Sequence, residues 1–473
     1  MKFKVGENIR IKKKIKKYQK QYMSDTENYL FGTVNGEPVG LSLNSPVRDS
    51  NHLVVGSAGT GKTYNYMLSN LRQENHSAVV LDYSLSLKNE ETRFKEKGIK
   101  THRFNLYHLE TSSRYNPFLH VKTEQQIEIL VENILRFFDD LSGDVKIEIG
   151  PKVVLVSKDF LDPFYSRLIK VLTKLAVLYV VKSPNLTDEE RTFKTLYGIW
   201  ESLKNPFNVK NYDVTGKYSE MLEVLSPHAF AEAVGYMCYN FSAMLSPVFE
   251  CFVERTDTDN INAEELGTEL TYLFISGHPY SMRGINECDY HSVCIDFFIS
   301  ELLVDLYDFA ECCSGGKTKY KSLSSEHFLP YHLHFYLDEF PSRNISNFIS
   351  ILSSARVYGI GFSIMIQCMN QLKSKYPEND DWQHIEANCD TQIFLGSVLS
   401  DDIKYFSECT SYGLAAVNTA NGAEYKEVRD FTEQQIREDV IGQDKILVLV
   451  RDSISVACDR LDPEKYKGDG TNV

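Results

Sequence analysis

The residues with the clearest chemical meaning lie between positions 56 and 63. They follow the apolar run 53–55 and fit the phosphate-loop pattern G-x-x-x-x-G-K-[S/T], in the order Gly56, Ser57, Ala58, Gly59, Thr60, Gly61, Lys62 and Thr63. In such a loop the backbone N–H groups and the lysine bind phosphate oxygens, and the threonine hydroxyl binds Mg²⁺. A helix-like run, 64–71, follows. This setting favours a nucleoside triphosphate site over a glycine-rich turn that binds nothing.

A pair of acids ends a second apolar run. Residues 334–337 are followed directly by Asp338 and Glu339. In phosphate-loop ATPases an aspartate at this place holds the Mg²⁺ shell, and an adjacent glutamate can polarise the attacking water. Two acids after an apolar run often mark only a strand that reaches solvent. The phosphate loop earlier in the chain favours the catalytic interpretation.

Two further polar residues are candidates for the same site. Gln367 ends the apolar run 362–366, where a γ-phosphate sensor would lie in a parallel sheet. A strand-end side chain that bonds to backbone gives the same pattern. Arg356 lies on the helical run 349–358, which in most such sheets points away from the chain's own phosphate loop. We therefore interpret Arg356 as an arginine finger for a neighbouring subunit, with a surface ion pair as the alternative.

The surrounding sequence predicts an α/β fold with a doubly wound, mainly parallel sheet. Asn35-Gly36 indicates a hairpin before the phosphate-loop strand. Apolar strands alternate with helices before and after a stretch of helical periodicity, within which 153–156 is either a short strand or a buried turn. The predicted units are a basic N-terminal segment (1–27), a nucleotide-binding domain in two parts (28–114 and 266–473) and an all-helical insertion (115–265).

The sequence pattern gives weaker evidence for secondary structure after residue 388. Residues 388–396 read as a strand, and 410–445 has a mixed pattern. The apolar run 445–450 is predicted to close the sheet. We expect 456–466 to be a terminal tail.

Composition limits the location and the partners. The net charge of −14 argues against a surface that is uniformly suited to nucleic acid, although a local basic channel is compatible with it. The ten cysteines include no C-x-x-C pair and suggest a reducing cytosol. No run is long and apolar enough to span a membrane, and no signal peptide is evident. Residues 1–20 hold nine basic residues against one acid, which fits contact with anionic lipid or nucleic acid, or a solvated, frayed terminus.

The series of motifs resembles the type IV coupling proteins, the TraG-type ATPases of bacterial conjugation and type IV secretion. Besides the phosphate loop, the resemblance rests on FNLYHLETSSRYNPF at 104–118, DPFYSRLIKVLTKLAVLYVV at 162–181, FYLDEFP at 335–341, ISILSSARVYGIGFSIMIQCMNQLKSKY at 349–376 and NCDTQIFLG at 388–396. The block from 335 to 396 is far more specific than a phosphate loop alone.

This resemblance implies a RecA-like motor domain with an all-helical insertion, ATP hydrolysis with Mg²⁺, and assembly into a hexameric ring. It also implies that the chain delivers a relaxase-bound single strand of DNA to the type IV secretion channel. The implied roles are nucleotide binding for Lys62 and Thr63, metal and water binding for Asp338 and Glu339, a trans-acting arginine for Arg356, and a sensor for Gln367.

Two departures from the family pattern qualify these expectations. Family members usually begin with transmembrane helices, and none is predicted here. We therefore expect a cytoplasmic protein that a separate membrane-anchor protein recruits to the inner face of the cell membrane, or one that has lost its membrane link. The strand after the first helix usually ends in an Asp-Pro-Lys-Gly-Glu-like run, of which only Asp82 matches.

Two rival functions fit the same motifs. One is a double-stranded-DNA translocase of the packaging or chromosome-pumping type. The other is a non-translocating adaptor in which ATP switches the affinity for protein cargo.

Overall fold

The computed structural model centres on one large mixed sheet, 13-stranded within the described residues. Those residues are 2–45, 50–83, 85–141, 145–149, 152–156, 163–222, 226–242, 251–252, 261–277, 290–324, 327–340, 344–377, 380–410, 413–419, 422–428 and 431–466. The strands are β1 Asn28–Val34, β2 Glu37–Ser42, β3 His52–Gly56, β4 Ser77–Leu81, β5 Lys100–Asn105, β6 Val145–Ile149, β7 Lys152–Val156, β8 Thr271–Ser276, β9 Leu333–Leu337, β10 Ile360–Ile366, β11 Thr391–Gly396, β12 Gly413–Thr419, β13 Gly422–Val428, β14 Lys445–Val450 and β15 Ile454–Asp459.

Helices cover the sheet and form most of the insertion. They are α1 Lys2–Tyr22, α2 Ser69–Leu71, α3 Lys88–Glu96, α4 Pro117–His120, α5 Glu124–Leu141, α6 Pro163–Lys182, α7 Phe193–Leu203, α8 Val209–Tyr212, α9 Lys217–Leu222, α10 Pro227–Phe241, α11 Ala263–Thr268, α12 Tyr290–Ser314, α13 Phe348–Tyr358, α14 Met369–Lys375, α15 Asp381–Ala387, α16 Ser400–Cys409 and α17 Glu433–Gln435. A π-helical segment, Lys62–Leu68, leads directly into α2.

The centre of the sheet is parallel and buried on both faces. Its strands follow the order β11-β3-β10-β9-β4-β8-β5 and pair in parallel throughout. Leu53 and Val55 of β3 point into one core and Val54 into the other, as the alternation of side chains along a strand requires. Continuous apolar runs such as β3 and β9 are typical of strands covered by helices on both sides. The predicted α/β sheet is therefore confirmed.

The insertion is mainly helical, with one exception. In α5 the side chains of Ile127, Leu130, Val131 and Ile134 are all buried, at the i, i+3, i+4, i+7 spacing that predicted the helix. Strands β6 and β7 pair as an antiparallel hairpin, so the run 153–156 is a strand and not a buried turn. The valines of this run favour a strand over a turn, because β-branched side chains favour extended backbone. The sequence also has helical periodicity at 242–255, but most of that stretch lies outside the described residues.

The N-terminal basic segment is an ordered helix and not a frayed terminus. Ile15 and Tyr18 of α1 are buried against β2, and the Tyr18 hydroxyl donates a hydrogen bond to the carbonyl of Gly40 at 2.7 Å. These apolar residues lie three positions apart and so share one helix face. Lysines such as Lys13 and Lys17 occupy the opposite, exposed face.

The expectation of a terminal tail at 456–466 is wrong. Strand β15 pairs antiparallel with β14 and also with β1, so it joins the end of the chain to its first hairpin. Val456, Ala457 and Cys458 are fully buried. The strand β14 does not close the sheet either, because β15, β12 and β13 extend it further. Short apolar runs carry too few residues for periodicity to distinguish a strand from a tail.

A buried polar cluster lies beneath the phosphate-loop helix. The Tyr66 hydroxyl bonds to His52 Nδ1 at 2.8 Å and to Ser363 Oγ at 2.7 Å, and Ser363 Oγ bonds to His334 Nε2 at 2.7 Å. His76 Nε2 contacts the Tyr336 hydroxyl at 2.9 Å. Burial lowers the pKa of four neighbouring histidines far below its usual value, and these are His52, His76, His332 and His334. They are therefore neutral in the folded protein.

Acid should destabilise the protein through these histidines. Burial lowers the pKa of His76 to about 3, whereas the unfolded chain has a histidine pKa of about 6.5. Below the unfolded value the unfolded chain binds more protons, so stability falls as the pH drops. The loss approaches about 1.4 kcal/mol per pH unit for each such histidine. Circular dichroism melting between pH 8 and pH 5 should show this slope.

The contribution of one histidine can be isolated by comparing slopes. His76→Asn should flatten the dependence of melting temperature on pH, whatever its effect on the melting temperature at pH 8. His228→Asn is the matched control, because the His228 side chain is 67% exposed. Equal slopes for the two variants would contradict the assignment of the acid sensitivity to the buried cluster.

Candidate nucleotide-binding site

The loop between β3 and the π-helical segment has the backbone shape of a phosphate loop. Gly61 has a φ of 92°, a conformation that other residues adopt only with strain, and a Cβ there would collide with the Asn65 amide. A Cβ at Gly56 would collide with the Thr60 side chain and with Leu395. These two glycines are therefore required by geometry. Because of them the loop can pass directly from a buried strand into a helix start, and the backbone N–H groups at a helix start favour the binding of an anion.

Lys62 lies across this loop. Its ammonium donates hydrogen bonds to the carbonyl oxygens of Gly56 at 2.7 Å and Ser57 at 3.4 Å. Partial burial lowers the pKa of Lys62, and the negative charges of Asp338 and Glu339 oppose that shift. The cation is therefore held between the loop and the two predicted acids, where phosphate oxygens would offer it stronger acceptors than the carbonyls.

The two predicted acids meet the loop directly. The Thr63 hydroxyl donates a hydrogen bond to Asp338 Oδ2 at 3.1 Å. Thr63 is the second residue of the π-helical segment after β3, and Asp338 follows the last residue of β9, so the contact joins segments that are distant in sequence. A hydroxyl and a carboxylate oxygen at this separation are the two protein oxygens that a Mg²⁺ ion shares with phosphates and water in such sites. The residues present fit that cation.

Glu339 has a strained backbone. Its φ is 54°, in the left-handed region that a residue with a Cβ enters at a cost, and its N–H donates to Asp338 Oδ1 at 3.0 Å. The side chain is exposed at the carboxyl edge of the sheet. Strain of this kind persists where the surrounding structure imposes it, often beside an active site. Here the strained residue directly follows Asp338, which contacts the phosphate loop through Thr63.

Gln367 belongs to the same edge. Strand β10 lies between β3 and β9, with Ile366 opposite Val55 and Ile364 opposite Leu337. Gln367 therefore follows β10 at the level of Gly56, and its N–H donates to Gln371 Oε1 at 3.0 Å. Sheet order thus brings the loop, the acids and the predicted sensor to neighbouring strand ends.

Arg356 lies at the other edge of the sheet. It is on the last turn of α13, which ends at Tyr358 just before β10 begins at Ile360. The seven residues of β10 then lead to Gln367. At about 3.3 Å per residue, the two edges are separated by roughly 20 Å. The structure therefore brings together the other predicted residues and keeps Arg356 away from the chain's own phosphate loop.

Arg460, which the sequence interpretation did not select, also contacts the phosphate loop. Its Nη1 donates to the carbonyl of Thr60 at 2.5 Å and its Nη2 to the carbonyl of Leu395 at 2.9 Å. No sequence signal marks a side chain whose partners are backbone carbonyls. Asp82, the one match to the family's acidic run, accepts hydrogen bonds from Ser86 and from Arg103. Asp82 therefore holds the loop after β4, and it lines the same cavity as Thr63 and Asp338.

A cavity of about 590 Å³ lies beside the Thr63–Asp338 contact. It extends between the helix after the phosphate loop and the loop that follows β4, and its lining includes Tyr64, Tyr83 and Glu339. Across the described ranges, no group of three or more His, Cys, Asp or Glu residues is placed to hold a metal ion on its own. A cation here would therefore depend on ligand oxygens as well as on protein oxygens.

In the part of the chain that the structure describes, no helix is both long and apolar enough to cross a membrane.

The parallel sheet, the phosphate loop after β3 and the acids after β9 define the class of this protein. It is a RecA-like phosphate-loop nucleotide-binding domain carrying a mainly helical insertion. Two family models then narrow the class. "Type IV secretory system Conjugative DNA transfer" matches residues 8–189, and "TraM recognition site of TraD and TraG" matches residues 332–451. The chain belongs to the type IV coupling protein family, whose role is coupling in conjugative DNA transfer.

Solved structures agree with this fold. The chain is similar to the plasmid coupling protein TrwB in complex with the non-hydrolysable GTP analogue GDPNP, with 15% identity, a TM-score of 0.57, and coverage of 97% of this chain and 94% of that chain. TrwB in complex with ADP and Mg²⁺ gives 13% identity, a TM-score of 0.55, and coverage of 97% and 93%. The unbound monoclinic form of TrwBdeltaN70 gives 14% identity, a TM-score of 0.57, and coverage of 97% and 94%. No curated protein sequence gives a significant match.

The strain at Glu339 predicts that activity and stability change in opposite directions. Glu339→Gly should raise the melting temperature, because relief of the left-handed conformation recovers about 1 kcal/mol, and should abolish hydrolysis. Glu339→Gln keeps the side-chain shape, so it should abolish hydrolysis without raising the melting temperature. Thermal melts and phosphate-release assays on the same samples measure both effects.

Asn347 provides the matched control for this prediction. It also has a positive φ, of 52°, but asparagine tolerates that region better than glutamate. Asn347→Gly should change neither quantity much. A Glu339→Gly protein that melts no higher than wild type would show that the positive φ carries no strain.

Proposed function

We propose that this chain is an ATP-driven coupling protein that recruits a relaxase–single-stranded DNA complex and delivers it to a type IV secretion channel. The observation that carries the proposal is the 3.1 Å contact between the Thr63 hydroxyl and Asp338. It joins the phosphate loop to the acid pair inside a chain of the coupling protein family. Family membership supports the DNA-transfer role, and the contact supports the use of ATP with Mg²⁺ in that role.

The phosphate chain of ATP would lie over the loop from Gly56 to Thr63. Backbone N–H groups at the helix start would bind its oxygens, and Lys62 would move from its carbonyl partners to the β- and γ-phosphates. Mg²⁺ would be held by Thr63 and Asp338, where it neutralises phosphate charge. The structures of TrwB with ADP and Mg²⁺ and with the ATP analogue ADPNP lend support from proteins of the same fold.

Hydrolysis would use the two residues that flank Asp338 in space. Glu339, which has a positive φ, would accept a proton from the attacking water or orient it. Gln367, at the end of the strand between the loop and the acids, would hydrogen-bond the γ-phosphate and report its loss to α14. Both residues already lie at the carboxyl edge of the sheet, so neither role requires a rearrangement of the strands.

Arg356 would complete the site of a neighbouring subunit. Its place at the opposite edge of the sheet, roughly 20 Å from Gln367 by strand length, keeps it out of the chain's own site. A head-to-tail ring places the edge that carries Arg356 against the next phosphate loop. We therefore propose a hexameric ring in which each active site is shared by two subunits.

The proposed partners follow from the same role. They are relaxosome proteins including the relaxase, single-stranded DNA, and components of the type IV secretion channel. We place the protein in the cytoplasm, recruited to the inner face of the cell membrane, with a separate membrane-anchor protein as a further partner. The insertion, residues 115–265, is proposed as the surface that binds protein cargo.

The shared site can be tested by measuring the ATPase rate against protein concentration, with and without single-stranded DNA. The rate per chain should rise steeply with concentration, because only assembled subunits have complete sites. Arg356→Ala should lower the rate about a hundredfold or more and remove that dependence, while nucleotide binding persists. A rate per chain that is constant with dilution, in wild type and variant alike, would contradict the shared site.

The same assay separates the motor from its rivals. Stimulation by single-stranded DNA that disappears in Lys62→Ala would support the proposal. Stimulation by double-stranded DNA alone would favour the packaging-type translocase. Binding of relaxase without any stimulation by DNA would favour the ATP-switched adaptor and would contradict the pump.

A further inference from the structure

The residues that follow β15 pass beside the phosphate loop. Arg460 and Leu461 come directly after the strand, and the short helical turn Pro463–Lys465 follows them. This segment, residues 460–465, lies beyond both family-model matches, which end at residues 189 and 451. Its contacts with the nucleotide site are therefore properties of this chain that the family comparison does not assign.

The guanidinium of Arg460 connects three elements around the loop. Nη1 donates to the carbonyl of Thr60 inside the phosphate loop, and Nη2 donates to the carbonyl of Leu395 near the end of β11. Nε donates to Asp444 Oδ1 at 2.8 Å, just before β14. The planar fork of arginine suits this task, because its N–H groups diverge in fixed directions from a single rigid group.

Neighbouring contacts fix the segment to the helix after the loop. Asn65 Nδ2 donates to the carbonyl of Leu461 at 2.8 Å. Arg72 forms an ion pair with Glu464 at 2.7 Å, and Leu461 is only 2% exposed. The helix start, the loop and the segment are thus tied together at several points along one side of the site.

The carbonyl of Thr60 is a sensitive point of the loop. It belongs to the peptide unit whose N–H is that of Gly61, so holding the oxygen also fixes the direction of that N–H. Gly59 and Gly61 flank this point with φ values of 77° and 92°. Glycines leave the backbone free to take other conformations, so an external hydrogen bond from a charged donor restricts the loop to one of them. The positive charge beside the loop also favours a bound polyanion.

We propose that Arg460 is a positioning residue for nucleotide binding, which holds the phosphate loop in its binding conformation through the carbonyl of Thr60. The inference rests on the proposed function, because the ligand is the nucleotide of that site. The inference makes a separate prediction, because the affinity for nucleotide then depends on a side chain that contacts the loop only through the carbonyl of Thr60. Loss of Arg460 should raise KM for ATP more than it lowers kcat.

The experiment compares Arg460→Gln and Arg460→Lys with wild type in the full chain. Binding of ADP with Mg²⁺ is measured by titration calorimetry, and KM and kcat for ATP are measured by phosphate release. Arg460→Gln should raise the Kd for ADP about tenfold or more, as expected for the loss of a charge-assisted hydrogen bond that orders the site. Arg460→Lys keeps the charge but cannot reach both carbonyls, so it should recover only part of the affinity.

Arg451 supplies the matched control. Its guanidinium also holds backbone carbonyls, those of Ala387 at 2.7 Å and Glu386 at 3.3 Å, at the edge of the sheet away from the phosphate loop. Arg451→Gln should lower the melting temperature without changing the Kd for ADP or KM for ATP. A purely structural role for Arg460 would give that same result, with fewer active molecules and unchanged Kd and KM.

The outcomes separate the two proposals. Kd and KM values for both Arg460 variants equal to those of wild type would overturn the inference while nucleotide binding itself stands. If Arg460→Gln does not fold, Arg460→Lys decides by the same measurement. Absence of ADP binding in the wild-type protein, or binding unchanged in Lys62→Ala, would instead overturn the proposed nucleotide site and the inference with it.

Discussion

The parallel pairing of β3, β10 and β9 is the constraint on which the rest of the structure depends. Parallel strands end at the same edge of the sheet, so the residues that follow these three strands lie close together although they are far apart in the sequence. The phosphate loop, Gln367 and the acid pair therefore need no long side chains to meet. The buried apolar side chains of these strands fix their register, because a slip by one residue would exchange the residues of the two cores.

The same pairing also separates Arg356 from the phosphate loop. The helix that connects two parallel strands runs back across the sheet, so its last turn lies at the edge where the next strand begins. This edge is opposite the one that carries the phosphate loop. The position of Arg356, on the last turn of α13, follows from that return. The insertion lies on one face of the sheet and the N-terminal hairpin on the other, in two distinct hydrophobic cores. The nucleotide site, the proposed cargo surface and the proposed subunit contact thus lie on different parts of the same sheet.

The sequence predicted the features that residue spacing defines. It did not predict short strands, or side chains that bind backbone carbonyls. The phosphate loop and Asp338 were predictable because their residue types follow apolar runs at fixed offsets. The strand β15 was not predictable, because its four apolar residues are too few to show a distinctive period, and Ile15 was not recognised among the surrounding lysines. Arg460 was beyond reach for another reason. Its carbonyl acceptors could belong to residues of any type, because every residue has a backbone carbonyl. The amino-acid sequence therefore does not mark them.

The antiparallel pairing of β1 with β15 has a consequence for how the chain is made. Thr33 lies opposite Asp459, so the first hairpin waits for a partner strand that is synthesised much later. Until then one edge of β1 has unpaired N–H and C=O groups beside apolar side chains, a surface prone to aggregation. Contacts of such large sequence separation also fold slowly. The nascent protein is therefore the form most in need of a chaperone, and a ribosome stalled before β15 holds a chain whose sheet is still incomplete.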